Sequence, residues 1–99
     1  MGFNMLEQLQ AMKAKMDESK AKLEQIIVEG EAANGIVKVS INGNRKVKNV
    51  TIDKLLLEKD IEEIEDLLTI AFNNAIENAE KINANEMQNS AQNLLSGLK

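Results

Sequence analysis

The apolar positions of this chain change their spacing twice. From Asn4 to about Gln25, Met5, Leu9, Met12, Met16, Leu23 and Ile26 recur at alternating steps of four and three, interrupted only at Ser19. Such a heptad stripe is the narrow seam of a helix that contacts one neighbouring element, so the first element is a long helix over Asn4 to Gln25. Between Ala32 and Asp53 the period shortens to two. Val37, Val39 and Ile41 alternate with Lys38 and Ser40, and the pairs Asn34-Gly35 and Asn42-Gly43 supply the dipeptide best suited to a tight hairpin turn. Three antiparallel strands are predicted, near Ile26 to Ala33, Gly35 to Asn42 and Arg45 to Ile52. Val47 and Val50 cannot share a face in strict alternation, which predicts a bulge or bend near Lys48 to Asn49.

A broad helical face follows. Asp53 is a cap for a short turn through Leu57, and Asp60 stands three residues before Glu63 in a capping-box-like start. Ile61, Ile64, Leu68, Ala71, Ala75, Ala79 and Ile82 trace one face, and Leu67, Phe72 and Ile76 widen it beyond what a seam requires. The spacing predicts a core helix from Asp60 past Ile82 that covers the sheet, with Ala71, Ala75 and Ala79 permitting close backbone approach. From Asn83 to Lys99, Met87, Ala91, Leu94, Leu95 and Leu98 keep helical spacing among several Asn, so a helical extension or frayed tail is expected. The fold class is α+β: residues 1–99 form one domain, with 1–25 a helical arm, 26–53 the sheet, 60–83 the core helix and 84–99 the extension.

Composition restricts what such a fold can do. With two Phe and no Trp or Tyr in 99 residues, the core is thin and rests on aliphatic and Met side chains. A thin core and open sheet edges predict a homodimer. Cys and His are both absent, which removes the commonest metal ligands, general bases and nucleophiles. No enzyme, metal, cofactor or small-molecule substrate is expected. No run approaches the length of a membrane span, the start lacks a signal core, and Leu6 stands where a myristoylation motif needs Ser or Thr, so a cytoplasmic protein without membrane contact is expected.

The formal charge of −4 hides an uneven distribution. Residues 1–54 carry nine basic and seven acidic side chains, whereas residues 55–99 carry three and nine. With Leu9 and Met16 at heptad position a, Lys13 and Lys20 fall at e and Lys15 and Lys22 at g, flanking the seam with two lysine rows. The structural reading of these rows is solubilising flanks whose stems cover the seam; the functional reading is a cationic arm. The acidic run Glu62, Glu63, Glu65 and Asp66 is explained by the positive end of a helix dipole. Arg45 is the single Arg and there is no exposed aromatic set, which disfavours guanine readout and base stacking. Phosphate contact by Lys remains, a mode that positions a protein without specifying sequence.

The order of a long helix, "VEGEAANGIVKVSINGNRKVKNVTID" and "LLLEKDIEEIEDLLTIAFNNAIENAEK" resembles the YbaB/EbfC family of small bacterial nucleoid-associated proteins. The resemblance runs from about Val28 to Lys81 and rests on Gly30, Gly35 and Gly43, on Val50 before Ile52 and Asp53, on Leu55 and Leu56, and on "AFNNAIENAEK". It implies a homodimer with helices projecting like the arms of tweezers, located at the bacterial nucleoid and binding double-stranded DNA with limited sequence preference. It also implies that DNA meets the outer first helix and the end of the last, at Lys13, Lys15, Lys20, Lys22 and Lys81. The chain departs from relatives in its scarcity of Arg and in its Asn/Gln-rich tail. A second reading of the same residues is a homodimeric protein-interaction module, without direct DNA binding, whose seam docks another protein.

Overall fold

The computed structural model describes residues 5–97. Helix α1 (Met5–Gln25) leads into a three-stranded antiparallel sheet, β1 (Ile27–Ala32), β2 (Val37–Asn42) and β3 (Val47–Ile52), in the order β1-β2-β3. A 3-10 turn (Lys54–Glu58) and helix α2 (Ile61–Gly97) complete the chain. Asp53 caps the 3-10 turn, its Oδ1 accepting from the Leu55 N–H at 2.9 Å. The Asn-rich end of α2 stays helical to Gly97, so the extension is a continuation of the core helix; Leu98 and Lys99 lie outside the described residues. The expected bulge is present: Ser40 pairs with Asn49 and Ile41 with Val47, leaving Lys48 as the extra residue. Its effect is to return Val47 to the face that carries Val50.

Val37, Val39 and Ile41 of β2 are buried together with Ala71, Ala75 and Ala79 of α2 and Leu56 of the 3-10 turn. Small residues on α2 bring its backbone down onto β1. A methyl group on Gly30 would overlap the Ala75 backbone N and the Ala71 carbonyl oxygen, and would stand 2.6 Å from Ala75 Cα. Helix α2 crosses β1 and β2 but leaves β3 uncovered, with all six of its residues exposed. Cross-strand partners share a face, so Ile52, Val50 and Val47, opposite Val37, Val39 and Ile41, extend the core face beyond its cover. The predicted core face of α2 is narrower than its periodicity implied. Ile61 is 74% exposed and Ile76 36%, because the sheet ends before the first turn of the helix and Ile76 points off the sheet.

The two sheet edges differ. Asn74 Nδ2 donates to the Glu31 carbonyl at 3.0 Å and Asn78 Nδ2 to the Glu29 carbonyl at 2.8 Å, so side chains one turn apart on α2 occupy the outer edge of β1. The β3 edge has no such cover among the described residues.

The two Asn-Gly pairs serve different ends. At the first, Ala33, Asn34 and Gly35 take left-handed backbone with φ of 54°, 56° and 91°, making a wider loop than a two-residue turn. At the second the left-handed residue is Arg45, with φ 66°, and Gly43 is required for space: an added Cβ would lie 2.9 Å from the Leu23 carbonyl oxygen. Gly43 N–H donates to that oxygen at 2.9 Å and to the Ile26 carbonyl at 3.0 Å, which ties the end of α1 to the β2–β3 turn.

Candidate nucleic-acid interface

Helix α1 runs antiparallel along α2 and is anchored at its root. Leu23 is fully buried, Ser19 and Ser90 hydrogen-bond through their hydroxyls between the helices, and Lys22 Nζ lies 3.7 Å from Glu86 Oε1. Asn44 Nδ2 donates to the Lys20 carbonyl at 3.0 Å, and Asn83 Nδ2 to the Gly43 carbonyl at 3.2 Å, so the β2–β3 turn braces both helices. From Ser19 toward the N-terminus the seam opens. Met5, Leu9, Met12 and Met16 are 46–67% exposed, because the sheet does not extend under this part of α1.

Lys13 and Lys15 therefore stand on the exposed part of α1, with Lys20 and Lys22 at its root. Lys15 Nζ lies 3.7 Å from Glu18 Oε2 within the helix and Lys22 is paired with Glu86, whereas Lys13, Lys20 and Lys81 have no ion pair among the described residues. Both pairs are long and each keeps one partner exposed, Glu18 in the first and Lys22 in the second, so a phosphate can compete for the lysines. A cleft of about 730 Å³ opens between α1, α2 and the β2–β3 turn, where Lys20 and Arg45 converge beside Asp17, Glu24, Asn44 and Asn83. Arg45 was not among the residues that the sequence singled out for DNA. Its sequence signal was the lone Arg after an Asn-Gly pair; its nearness to Lys20 is a tertiary fact.

Glu62, Glu63, Glu65 and Asp66 occupy the other end of α2. At 1.5 Å per residue Asp66 lies about 36 Å along the helix from Ser90. Among the described residues no group of three or more acidic side chains is placed to hold a metal ion, and no helix is long and apolar enough to cross a membrane.

A family model described as the YbaB/EbfC DNA-binding family matches residues 2–94. The chain belongs to the YbaB/EbfC family. It is 42% identical over 85 residues to a nucleoid-associated protein of Beijerinckia indica, covering 85% of this chain and 84% of that one. It is 37% identical over 94 residues to a nucleoid-associated protein of Chlorobium phaeobacteroides, covering 95% and 84%. The crystal structure of an uncharacterized protein from Helicobacter pylori superposes with a TM-score of 0.70 at 30% identity, covering 82% of this chain and 95% of that one. The YbaB/EbfC framework thus accounts for the helix, three-strand sheet and long second helix described above.

Proposed function

We propose that this YbaB/EbfC protein is a homodimeric component of the bacterial nucleoid that binds duplex DNA through backbone phosphates, with low sequence preference and no chemical reaction. The observation that carries this reading is the pair of lysine rows, Lys13 with Lys20 and Lys15 with Lys22, that flank the seam of α1 at one end of a molecule 71 Å long and 19 Å wide, with the acidic run at the start of α2 set apart from them. The arm presents Lys13, Lys15, Lys20 and Lys22, with Lys81 on α2 and Arg45 at the root. The acidic run sits several screening lengths away, since exposed charges interact over about 8 Å at physiological salt. A net charge of −4 therefore does not oppose a polyanion held at the arm. The family's description as DNA-binding and the relatives' names as nucleoid-associated proteins support the same partner.

Homodimerisation is supported by the asymmetry of the sheet. The Asn74 and Asn78 bonds close one edge, while β3 keeps an open edge and the exposed apolar row Val47, Val50 and Ile52. An isologous partner would cover that row and double the lysine rows without new sequence.

The test is a gel-shift titration against random-sequence duplex across a range of salt. Each phosphate neutralised contributes about −0.9 to the slope of log K against log salt, so engagement of four to six predicts a slope near −4 to −5. Replacing Lys13, Lys15, Lys20 and Lys22 with Gln preserves helix propensity and should flatten the slope. The comparison set is Lys38, Lys46 and Lys48 of the sheet; Arg45 is left out because it shares the cleft with Lys20. If the helix variant binds with the parent's affinity and slope, the arm does not carry the contact.

A further inference from the structure

The DNA reading uses the lysines of α1 and leaves its apolar seam unexplained. Met5, Leu9, Met12 and Met16 are exposed along about 17 Å of helix, in a chain that buries few large side chains of its own. Phosphate contact needs none of them.

The root of the same helix shows how this seam is satisfied. There the continuing seam positions Ser19 and Leu23 are buried against the rest of the chain, Ser19 against α2 itself, and the flanking Lys22 meets Glu86 on that helix. The occupant is a helix with an acidic side chain set against a lysine at position g. On the exposed half Lys13 continues the e row and Lys15 the g row. Two copies of α1 would set lysine against lysine whether parallel or antiparallel, which by coiled-coil rules discourages self-pairing. Beyond Ser90 the described residues of α2 carry no acidic side chain to set against Lys13 and Lys15, and Met12 and Met16 remain exposed.

We propose that the exposed half of the α1 seam is a docking site for an acidic amphipathic helix of a partner protein. Leu9, Met12 and Met16 supply the apolar contact, and Lys13 and Lys15 select a helix carrying Glu or Asp beside its own apolar stripe. Two methionines and a leucine suit such a surface, because Met adapts to helices of differing shape. The inference does not depend on DNA binding, although an occupied seam would compete with duplex for Lys13 and Lys15.

The experiment uses two labelled synthetic helices with Leu at a and d, one with Glu and one with Lys at e and g, titrated with the full chain by fluorescence anisotropy. The Glu-flanked helix is expected to bind and the Lys-flanked helix not. A triple variant, Leu9→Gln, Met12→Gln and Met16→Gln, alters only exposed residues and keeps helix propensity; it should weaken the Glu-flanked helix at least about tenfold while duplex affinity stays within about twofold. The charge-reversed variant K13E/K15E should transfer binding to the Lys-flanked helix. Retained helix binding in a parent that shows no duplex binding would leave the docking site standing and remove only the DNA reading. Equal binding of both helices, or an unchanged affinity in the triple variant, overturns the proposal. So does loss of duplex affinity in the triple variant with no helix bound, which would give the seam to DNA. A higher oligomer that the triple variant abolishes, again with no helix bound, would give it to a second copy.

Discussion

Arg45 is the residue whose backbone and side chain pull in opposite directions. At φ 66° it occupies the left-handed region, where glycine is unstrained and other residues pay about 1–2 kcal/mol. The fold does not require the side chain there, since the turn is fixed by Asn42, whose Oδ1 accepts from the Asn44 N–H at 2.9 Å and the Lys46 N–H at 3.0 Å. A strained position occupied by the only Arg of the chain, facing the same cleft as Lys20, points to a role for the cation. Arg45→Gly is therefore expected to leave stability unchanged or raise it by up to about 1 kcal/mol, the relief of strain being partly offset by the freedom of glycine in the unfolded chain. Duplex affinity should fall and the salt slope lose about 0.9, one phosphate's worth. Urea unfolding and a salt titration measure both; a stability loss above about 1 kcal/mol would show that the side chain holds the turn together.

The decisive contact between elements is that of α2 on β1. Gly30 faces the Ala71, Ala75 and Ala79 row, and the atoms a methyl group would strike belong to the helix backbone. Side-chain repacking cannot relieve that overlap. Gly30→Ala must lift α2 and part the Asn74 and Asn78 bonds from the β1 edge, at an expected cost of about 3 kcal/mol or more. Urea denaturation at fixed protein concentration reads the loss, and Ala75→Gly in the same chain should not restore it. A rescue by Ala75→Gly would mean that the side chain of Ala75, not its backbone, sets the helix height. The same close approach explains why α2 stops short of β3: a helix seated over Gly30 between Glu29 and Glu31 leaves the third strand bare.

At the scale of the whole molecule, 99 residues are stretched to 71 Å with a core confined to the sheet and the middle of α2. Such a chain has an arm at one end, an acidic helix start at the other and an apolar strand between them that needs cover. Val50→Lys with Ile52→Lys tests the homodimer at that strand. Both residues are exposed in the single chain, so their intrinsic effect on folding is small, while a symmetric partner would bring the new charges together. Light scattering is expected to report a dimer for the parent and about 11 kDa for the variant. Duplex affinity should drop with it, because paired arms engage one duplex at high effective concentration. A variant that remains dimeric would place the interface elsewhere.

Periodicity determined the elements, because local spacing decides which face of a helix or strand is apolar: the heptad helix, the period-two strands and the α2 row of Ala71, Ala75 and Ala79 each lie where their spacing put them. Even the bulge at Lys48 followed from Val47 and Val50 needing one face. The lysine rows were also legible, since heptad positions fix them relative to the seam. What local pattern could not reveal was how far each apolar face is covered. The seam of α1 is buried at Leu23 and open at Met12, and β3 carries core residues without a core above them, because cover depends on where α2 crosses the sheet. That crossing is set by Gly30, whose missing Cβ reads in sequence only as a turn or bulge signal. The convergence of Lys20 with Arg45, 25 positions apart, likewise required Gly43 to seat the end of α1 on the turn. Spacing determines what each element can bury; only the packed backbone decides what it leaves exposed for another molecule.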